Sequence, residues 1–584
     1  MRVVATAGHV DHGKSALVRA LTGMEPDRWS EEHRRGLTID LGFAWTELGG
    51  VRTAFVDVPG HERFVPNMLA GVGPVPAVLF AVAADEGWMP QSTEHLAALE
   101  ALGVQRGLLV LTRCDLADPA AALQQAREAL DGTGLAGAEA VAVSSATGHG
   151  LDRLRTRLAG LLAELPQPDA DADVRLWIDR AFGIRGAGPV VTGTLRDGTL
   201  RTGQRLVLHD GTDRPPEIAV RGLQVLGEDA DDVRGTARVA VNLRGVDLAQ
   251  LHRGQALLAP RCWPNAAEAD VRIVGGATGD LPRELVLHAG SAAVPVRLRP
   301  LGADTARLAL STPLPLRPGD RALLRDPGAH RVPGGAVVLD VFPPRLSRRG
   351  DAHRRARELD GMHGTTDIAA ELRRRRVVSA DRLREMGLHP PHEGTWLIDP
   401  QHRARLAERL RSLLDEHAQR HPLQEGMPEE AVRRALDLPD AALVRAVAEQ
   451  AGKQVRAGRI GSPGGLPEPV RGAVDELRRQ LEADPFQAPT AERLAELRLG
   501  QRELAAAERC GLLLRVAPGI VLLPDAPDRA LERLGPLPGP FTLSSARQEL
   551  GTTRRVAVPL LELLAARGWT HRLPDGTHEI RAPR

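Results

Sequence analysis

Gly8-His9-Val10-Asp11-His12-Gly13-Lys14-Ser15 fits the pattern G-x-x-x-x-G-K-[ST], and its reading decides the N-terminal fold. Lys14 and Lys453 are the two lysines among 76 basic residues. Wherever a generic positive charge suffices, this chain uses arginine, yet it keeps a lysine here. A compact ammonium on a flexible stem reaches between phosphates in a loop too tight for a planar guanidinium. The glycines turn successive N–H groups inward as an anion nest, and the following helix adds its positive dipole end. The Ser15 hydroxyl is then placed to ligate Mg²⁺. Arg2 to Ala7 read as a buried strand feeding the loop, and Ala16 to Leu21 as the helix leaving it. Asp11, His12, Gly13, Lys14, Ser15 and Ala16 are expected to hold the phosphates.

Three further motifs follow in order. Val51 to Val58 form an apolar strand running into Asp57-Val58-Pro59-Gly60. Asp57 can hold Mg²⁺ through water, and the Gly60 N–H can sense a γ-phosphate. Thr38 lies between this strand and the first loop, as a candidate second hydroxyl ligand of Mg²⁺. Leu108 to Thr112 form a buried strand running into Arg113-Cys114-Asp115. A carboxylate there accepts hydrogen bonds from guanine N1–H and N2–H₂, which adenine does not offer, so the expected substrate is GTP. The usual form of this motif is Asn-Lys-x-Asp. Thr112 and Arg113 depart from it, so Arg113 is expected to pack over the base, and the contacts made by an Asn are in doubt. A further strand, Ala140 to Val143, ends in Ser144-Ser145-Ala146, where Ser145 and Ala146 are expected to close over the guanine.

The length of 584 residues implies several domains. A net charge of +1 excludes a uniformly basic coat, so any nucleic-acid surface is local. Cys114, Cys262 and Cys510 fit no zinc or disulfide spacing, and no apolar run reaches the roughly 18 residues of a membrane span. A monomeric protein of the reducing cytoplasm is expected. Residues 174–345 carry short β-branched runs with Gly and Asp-Gly turns, the signature of β-barrels. From 351 on, short apolar helices alternate with hairpins at a period that suggests tandem winged-helix modules, four by count. The expected fold is multidomain: an α/β P-loop GTPase domain (1–167), two β-barrels (174–260 and 261–343), then winged-helix modules 1–2 (350–480) and 3–4 (481–584). Residues 541–584 hold seven Arg against four acidic residues, a local basic patch. Arg554 and Arg555 open its candidate recognition helix, and Arg572 lies in its wing. Arg373 to Arg376 form a denser run, read as a solvated or tRNA-facing helix.

Val56-Asp57-Val58-Pro59-Gly60-His61 resembles the translational GTPases. The resemblance implies that His61 orients the attacking water and that Val10 holds it back until the ribosome reorders it. Gly8 to Lys14, Arg35 to Phe43, Ile178 to Phe182 and Gly186 to Thr194 are written as in SelB, the selenocysteine-specific elongation factors. That resemblance covers residues 1–260 most specifically and the extreme C-terminus in patches. It implies a pocket for the selenocysteine side chain at Phe43, Asp179, Arg180 and Arg238, where an anionic selenolate is preferred to the neutral seryl precursor. It implies selenocysteinyl-tRNA, an mRNA hairpin held by the C-terminal module, and the ribosome as partners, with delivery at recoded UGA codons. The alternatives are a general elongation- or initiation-type GTPase, and a nucleotide-gated RNA-binding regulator. His61 argues against the regulator, and Arg238 with the long tail argues against the general factor.

Overall fold

A computed structural model describes residues 1–26, 40–60, 68, 75–212, 214–329, 331–390, 395–424, 426–461 and 466–581. Thr38 and His61 lie outside them. The chain divides into two compact units, Met1–Leu397 and Ile398–Arg584.

The first unit opens with a six-stranded sheet of order β2-β3-β1-β4-β5-β6. Its strands are β1 (Arg2–Ala7), β2 (Gly42–Leu48), β3 (Val51–Asp57), β4 (Ala77–Ala83), β5 (Gly107–Thr112) and β6 (Glu139–Ala142). β2 is antiparallel to β3, and the remaining pairs are parallel. β1, β4 and β5 are buried at every position because helices cover both faces of a parallel sheet. Alternate residues serve the two sides. Val3, Val56, Phe80 and Leu109 face helices α2 (Pro90–Leu102) and α3 (Ala120–Leu130). Val4, Phe55, Leu79 and Val110 face α1 (Lys14–Thr22) and α4 (Leu151–Glu164).

Two closed barrels follow. In the first, the strands Arg205–His209, Ala256–Leu258, Arg175–Trp177, Gly188–Leu195, Ala237–Arg244 and Glu217–Val225 pair in turn, and the last returns to the first. A further strand, Arg180–Ile184, pairs with Gly188–Leu195. Ala237–Arg244 shows the alternation that such a ring demands: Val239, Val241 and Leu243 are buried inside, leaving Arg238, Ala240 and Asn242 on the outer side. The second barrel closes through Ala266–Val274, Thr305–Leu314, Ala292–Pro300, Glu284–Ala289, Arg321–Asp326 and Arg331–Asp340. Helix α2 packs against its last two strands. A Cβ on Gly335 would stand 2.7 Å from Ala101 Cα, so only glycine lets helix and strand approach so closely.

Residues 351–397 belong to the first unit, which corrects the expected boundary at 350. Helices Asp351–Asp360 and Ile368–Arg375 are fastened to the second barrel by buried ion pairs. Arg355 donates to Asp270 at 2.7 Å and to Asp340 at 2.6 Å. Arg307 makes two bonds to Asp270, at 2.6 and 3.0 Å. Arg374 and Arg375 both reach Asp340 and Glu371. The reading of Arg373 to Arg376 as solvated or tRNA-facing is therefore overturned for Arg374 and Arg375. Their partner Asp340 lies 34 positions away in sequence from Arg374 and is fully buried.

The second unit repeats one pattern three times: helices, then a hairpin. The sets are Pro400–Arg420, Glu429–Ala435 and Ala441–Gln450 with the hairpin 455–460; Glu468–Ala483, Ala491–Glu496 and Gln501–Arg509 with 514–522; and Ala526–Leu534, Leu543–Glu549 and Arg554–Ala566 with 570–580. The expected boundary at 480/481 falls inside Glu468–Ala483. That helix buries Val474, Leu477 and Leu481 in the core shared by the last two sets, so a division there would cut through packed structure.

Candidate functional site

The phosphate loop sits between β1 and α1, with Asp11 and Gly13 in the left-handed region at φ 63° and 72°. Lys14 is buried and donates to the carbonyls of Gly8 at 3.0 Å and His9 at 2.6 Å. The Ser15 hydroxyl donates to Asp57 Oδ2 at 2.6 Å, and Thr6 Oγ1 donates to Asp57 Oδ1 at 2.7 Å. Burial pushes the Asp57 carboxyl up, against the hydrogen bonds from Ser15 and Thr6 and the charge of Lys14. A carboxylate so placed beside a hydroxyl fits a hydrated divalent cation, whose charge would keep it ionised. Gly60 closes on the loop from β3: a Cβ there would stand 2.6 Å from both Lys14 Nζ and Val10 N. This cradle has no room for a side chain.

Two residues that sequence reading missed brace the loop from α2. Gln91 Oε1 accepts from Val10 N–H and His95 Nδ1 accepts from Gly8 N–H, each at 3.1 Å. Their i, i+4 spacing puts both on one helix face, but nothing local announces that this face meets the loop. Burial, with the charge of Lys14 near, lowers His95 to about 3, and burial lowers His12 to about 4. Both imidazoles are therefore neutral beside the ammonium.

Strand β5 is tied to the same loop. Thr112 Oγ1 donates to the His12 carbonyl at 2.8 Å, so a threonine links β5 to the phosphate loop. Arg113 pairs with Asp85 and Glu86 at 3.1 and 2.7 Å and donates to the Asp11 carbonyl. Its guanidinium is thus a strut between β4 and the loop. Asp115 stands exposed after it. Cys114 N–H bonds the Val143 carbonyl at 3.2 Å, which brings the Asp115 and Ser144–Ala146 turns together. Ser145 is half-buried and Ala146 exposed.

A second cavity, of about 240 Å³, lies where β2 and β3 meet the outer face of the first barrel, lined by Phe43, Arg180, Thr192 and Arg238 among others. The register sets Arg180 beside Thr192 and Thr192 beside Ala240, two residues along the strand from Arg238. Arg238 grips Asp179 with both terminal nitrogens, donates to Thr192 Oγ1 at 3.1 Å, and lies 3.9 Å from the Phe43 ring centre. Among the described residues these bonds use three of the five N–H donors of a guanidinium. Arg180 donates to Asp40 at 2.7 Å. The four residues expected at a side-chain pocket are therefore neighbours, with Asp179 beneath Arg238 as its counter-ion. Asp40 and Thr192 were not foreseen: Asp40 lies just before β2, 140 positions from Arg180, and Thr192 faces Arg180 across the strand pair.

In the last helical set, Arg554 and Arg572 are exposed. Arg555 differs: it donates to the carbonyls of Pro489 at 2.7 Å and Gly519 at 3.4 Å. It links the last two sets to each other while remaining an exposed residue.

A P-loop sheet followed by two closed barrels defines a GTP-binding factor of the elongation factor Tu class. Residues 1–165 match the elongation factor Tu GTP binding domain, 283–345 the selenocysteine-specific elongation factor β-barrel domain, and 533–578 the elongation factor SelB winged helix. The selenocysteine-specific elongation factor of Escherichia coli is 34% identical over 475 residues, covering 77% of this chain and 75% of that one. That of Desulfomicrobium baculatum is 36% identical over 391 residues, 64% of this chain and 61% of its own length. The crystal structure of a bacterial selenocysteine-specific elongation factor, EF-Sec, shares the fold over the whole of both chains, with a TM-score of 0.73 at 24% identity. The chain belongs to the selenocysteine-specific elongation factors. Among its described residues no helix is long and apolar enough to cross a membrane.

Proposed function

We propose that this protein is a cytoplasmic, monomeric GTPase that carries selenocysteinyl-tRNA to the ribosome at recoded UGA codons, tethered to an mRNA hairpin by its C-terminal module. The observation that carries the reading is the convergence of Phe43, Arg180 and Arg238 on one cavity beside the nucleotide-binding domain. An aminoacyl side chain entering there meets an aromatic wall and guanidinium N–H groups. A selenol is more acidic than a thiol, so the ligand is an anion at neutral pH, and a seryl hydroxyl is not. A charge-assisted bond is worth roughly 1.5–3 kcal/mol more than none, or about 10–150-fold in affinity.

For the nucleotide, Lys14 and the loop N–H groups hold the phosphates, and Asp115 reads guanine, with Ser145 and Ala146 behind it. Ser15, Asp57 and Thr38 would hold Mg²⁺, which supplies charge neutralisation on the phosphates. His61 orients the water that attacks the γ-phosphorus, giving GDP and inorganic phosphate. Gly60, packed against Val10 and Lys14, carries any change at the γ-phosphate to the residue that follows it.

The test is binding of selenocysteinyl- and seryl-tRNA, on one tRNA body, with a GTP analogue present. Wild type should prefer the selenocysteinyl form, and Arg238→Ala should lose that preference while binding GTP as before. Equal losses for both tRNAs would make Arg238 purely structural. His61→Ala should retain GTP binding and lose about 10²–10⁴ in ribosome-stimulated hydrolysis. Asp115→Asn should weaken GTP and favour xanthosine triphosphate.

A further inference from the structure

Asp40 follows Thr38 by two residues and precedes Phe43 by three. Its carboxylate pairs with Arg180 at 2.7 Å, the two side chains being 32% and 27% exposed. The pair is part of a larger group. Burial lowers the Arg253 guanidinium, against the charges of Asp40 and Asp179, and Arg238 is bound to Asp179. The two arginines that line the cavity, Arg180 and Arg238, are thus each held by a carboxylate. The two carboxylates differ in kind. Asp179 also accepts from Thr192 at 2.8 Å and is 6% exposed, so it is a fixed counter-ion. Asp40 is about a third exposed and holds Arg180, one of the arginines lining the cavity.

Asp40 also stands at the entry to the strand that joins the two sites. In the β2–β3 ladder Gly42 lies opposite Asp57, and Phe43 lies opposite Val56. A Cβ on Gly42 would come within 3.2 Å of Asp57 Cβ. Four consecutive residues therefore run from the Arg180 partner, past the metal-side carboxylate, to the aromatic wall of the cavity. So short a stretch cannot shift at one end and stay still at the other.

We propose that Asp40 couples the nucleotide site to the cavity: paired with Arg180 it withholds one of the two lining arginines, and in the GTP state Arg180 passes from Asp40 to the anionic aminoacyl side chain. This rests on the carrier function proposed above. A merely structural ion pair would affect all ligands and both nucleotide states alike, whereas a competing counter-ion acts on the anionic ligand in one state.

The experiment uses the full chain as wild type, Asp40→Asn, Asp40→Ala and Asp40→Glu. Dissociation constants are measured for selenocysteinyl- and seryl-tRNA with GDP and with a non-hydrolysable GTP analogue. Nucleotide affinity serves as the check that each variant is folded. For Asn and Ala, selenocysteinyl-tRNA affinity with GDP should rise roughly five- to tenfold, as befits one partly screened charge. Seryl-tRNA affinity should stay unchanged, and Glu should behave as wild type. Parallel changes for both tRNAs, or no change with GDP, would overturn the coupling while leaving the carrier reading standing. A wild type without selenocysteinyl preference in the GTP state would overturn both.

Discussion

Two arginine clusters of this chain look alike in sequence and do opposite things. Arg374 and Arg375 sit in a run of four arginines, yet both side chains are more than four-fifths buried and bound to Asp340 and Glu371. Arg554 and Arg572 belong to a sparser patch and are exposed. Between them stands Arg555, exposed by its neighbours' measure but bound to the carbonyls of Pro489 and Gly519. Density of positive charge therefore says little about which arginines meet RNA. What matters is whether the fold brings an acceptor within reach. Three arginines converge on the fully buried Asp340, and none of them is available to a phosphate.

The sharpest way to break this contrast is to remove the acceptor. Asp340→Asn should destabilise the first unit by about 3–5 kcal/mol, because three guanidiniums lose their shared counter-ion. Denaturant unfolding measures it, and a loss below about 1 kcal/mol would mean that the arginines are solvated after all. Acid offers a second route. Burial would raise the Asp340 carboxyl, but Arg375, Arg374 and Arg355 outweigh it and hold it down at about 2. Its value in an unfolded chain is about 3.9. The contribution is thus complete above about pH 4 and fades as the pH falls towards 2, on the order of 2 kcal/mol in all. Stability curves of wild type and Asp340→Asn should converge across that window; parallel curves would remove Asp340 as the titrating group.

On the other side of the contrast, Arg554→Ala with Arg572→Ala should leave unfolding unchanged and weaken binding of the selenoprotein mRNA hairpin. Each lost phosphate contact lowers the log–log salt slope by about 0.7–0.9. An unaltered slope would place the RNA surface elsewhere. Helix reading of the A-form major groove is excluded by its width, so contacts to backbone and to unstacked bases are expected. The smallest effect belongs to Arg555→Ala, about 1 kcal/mol of stability from its lost bonds to carbonyls, with hairpin affinity within about twofold of wild type. A large loss of RNA binding without a change in stability would return Arg555 to the recognition surface.

Much of the nucleotide site was legible in the chain, because its motifs are local. A phosphate loop needs glycines, one lysine and one hydroxyl within eight residues, and strand ends carry Asp57 and Asp115 at recognisable distances from it. The two barrels were legible from alternation and turn residues, since a ring of strands repeats one rule at every strand. The departure from Asn-Lys at the end of β5 was visible, but not the contacts that Thr112 and Arg113 make. That Thr112 ties to His12, and that Arg113 is a strut to Asp85 and Glu86, depends on a loop about 100 positions away.

Read along the chain, the residues show a P-loop, barrel-forming alternation and helical repeats in their order, and Arg180 and Arg238 at positions where the family resemblance expects them. Only the tertiary structure decided which charges are spent. It paired Arg180 with Asp40 across 140 positions and Arg374 with Asp340 across 34, and it took Arg555 into the joint between two modules. The reason is physical. Backbone patterns and phosphate nests are written in neighbours along the chain, whereas a guanidinium takes whichever acceptor the fold places within about 3 Å, and that neighbour in space has no signature in the local sequence.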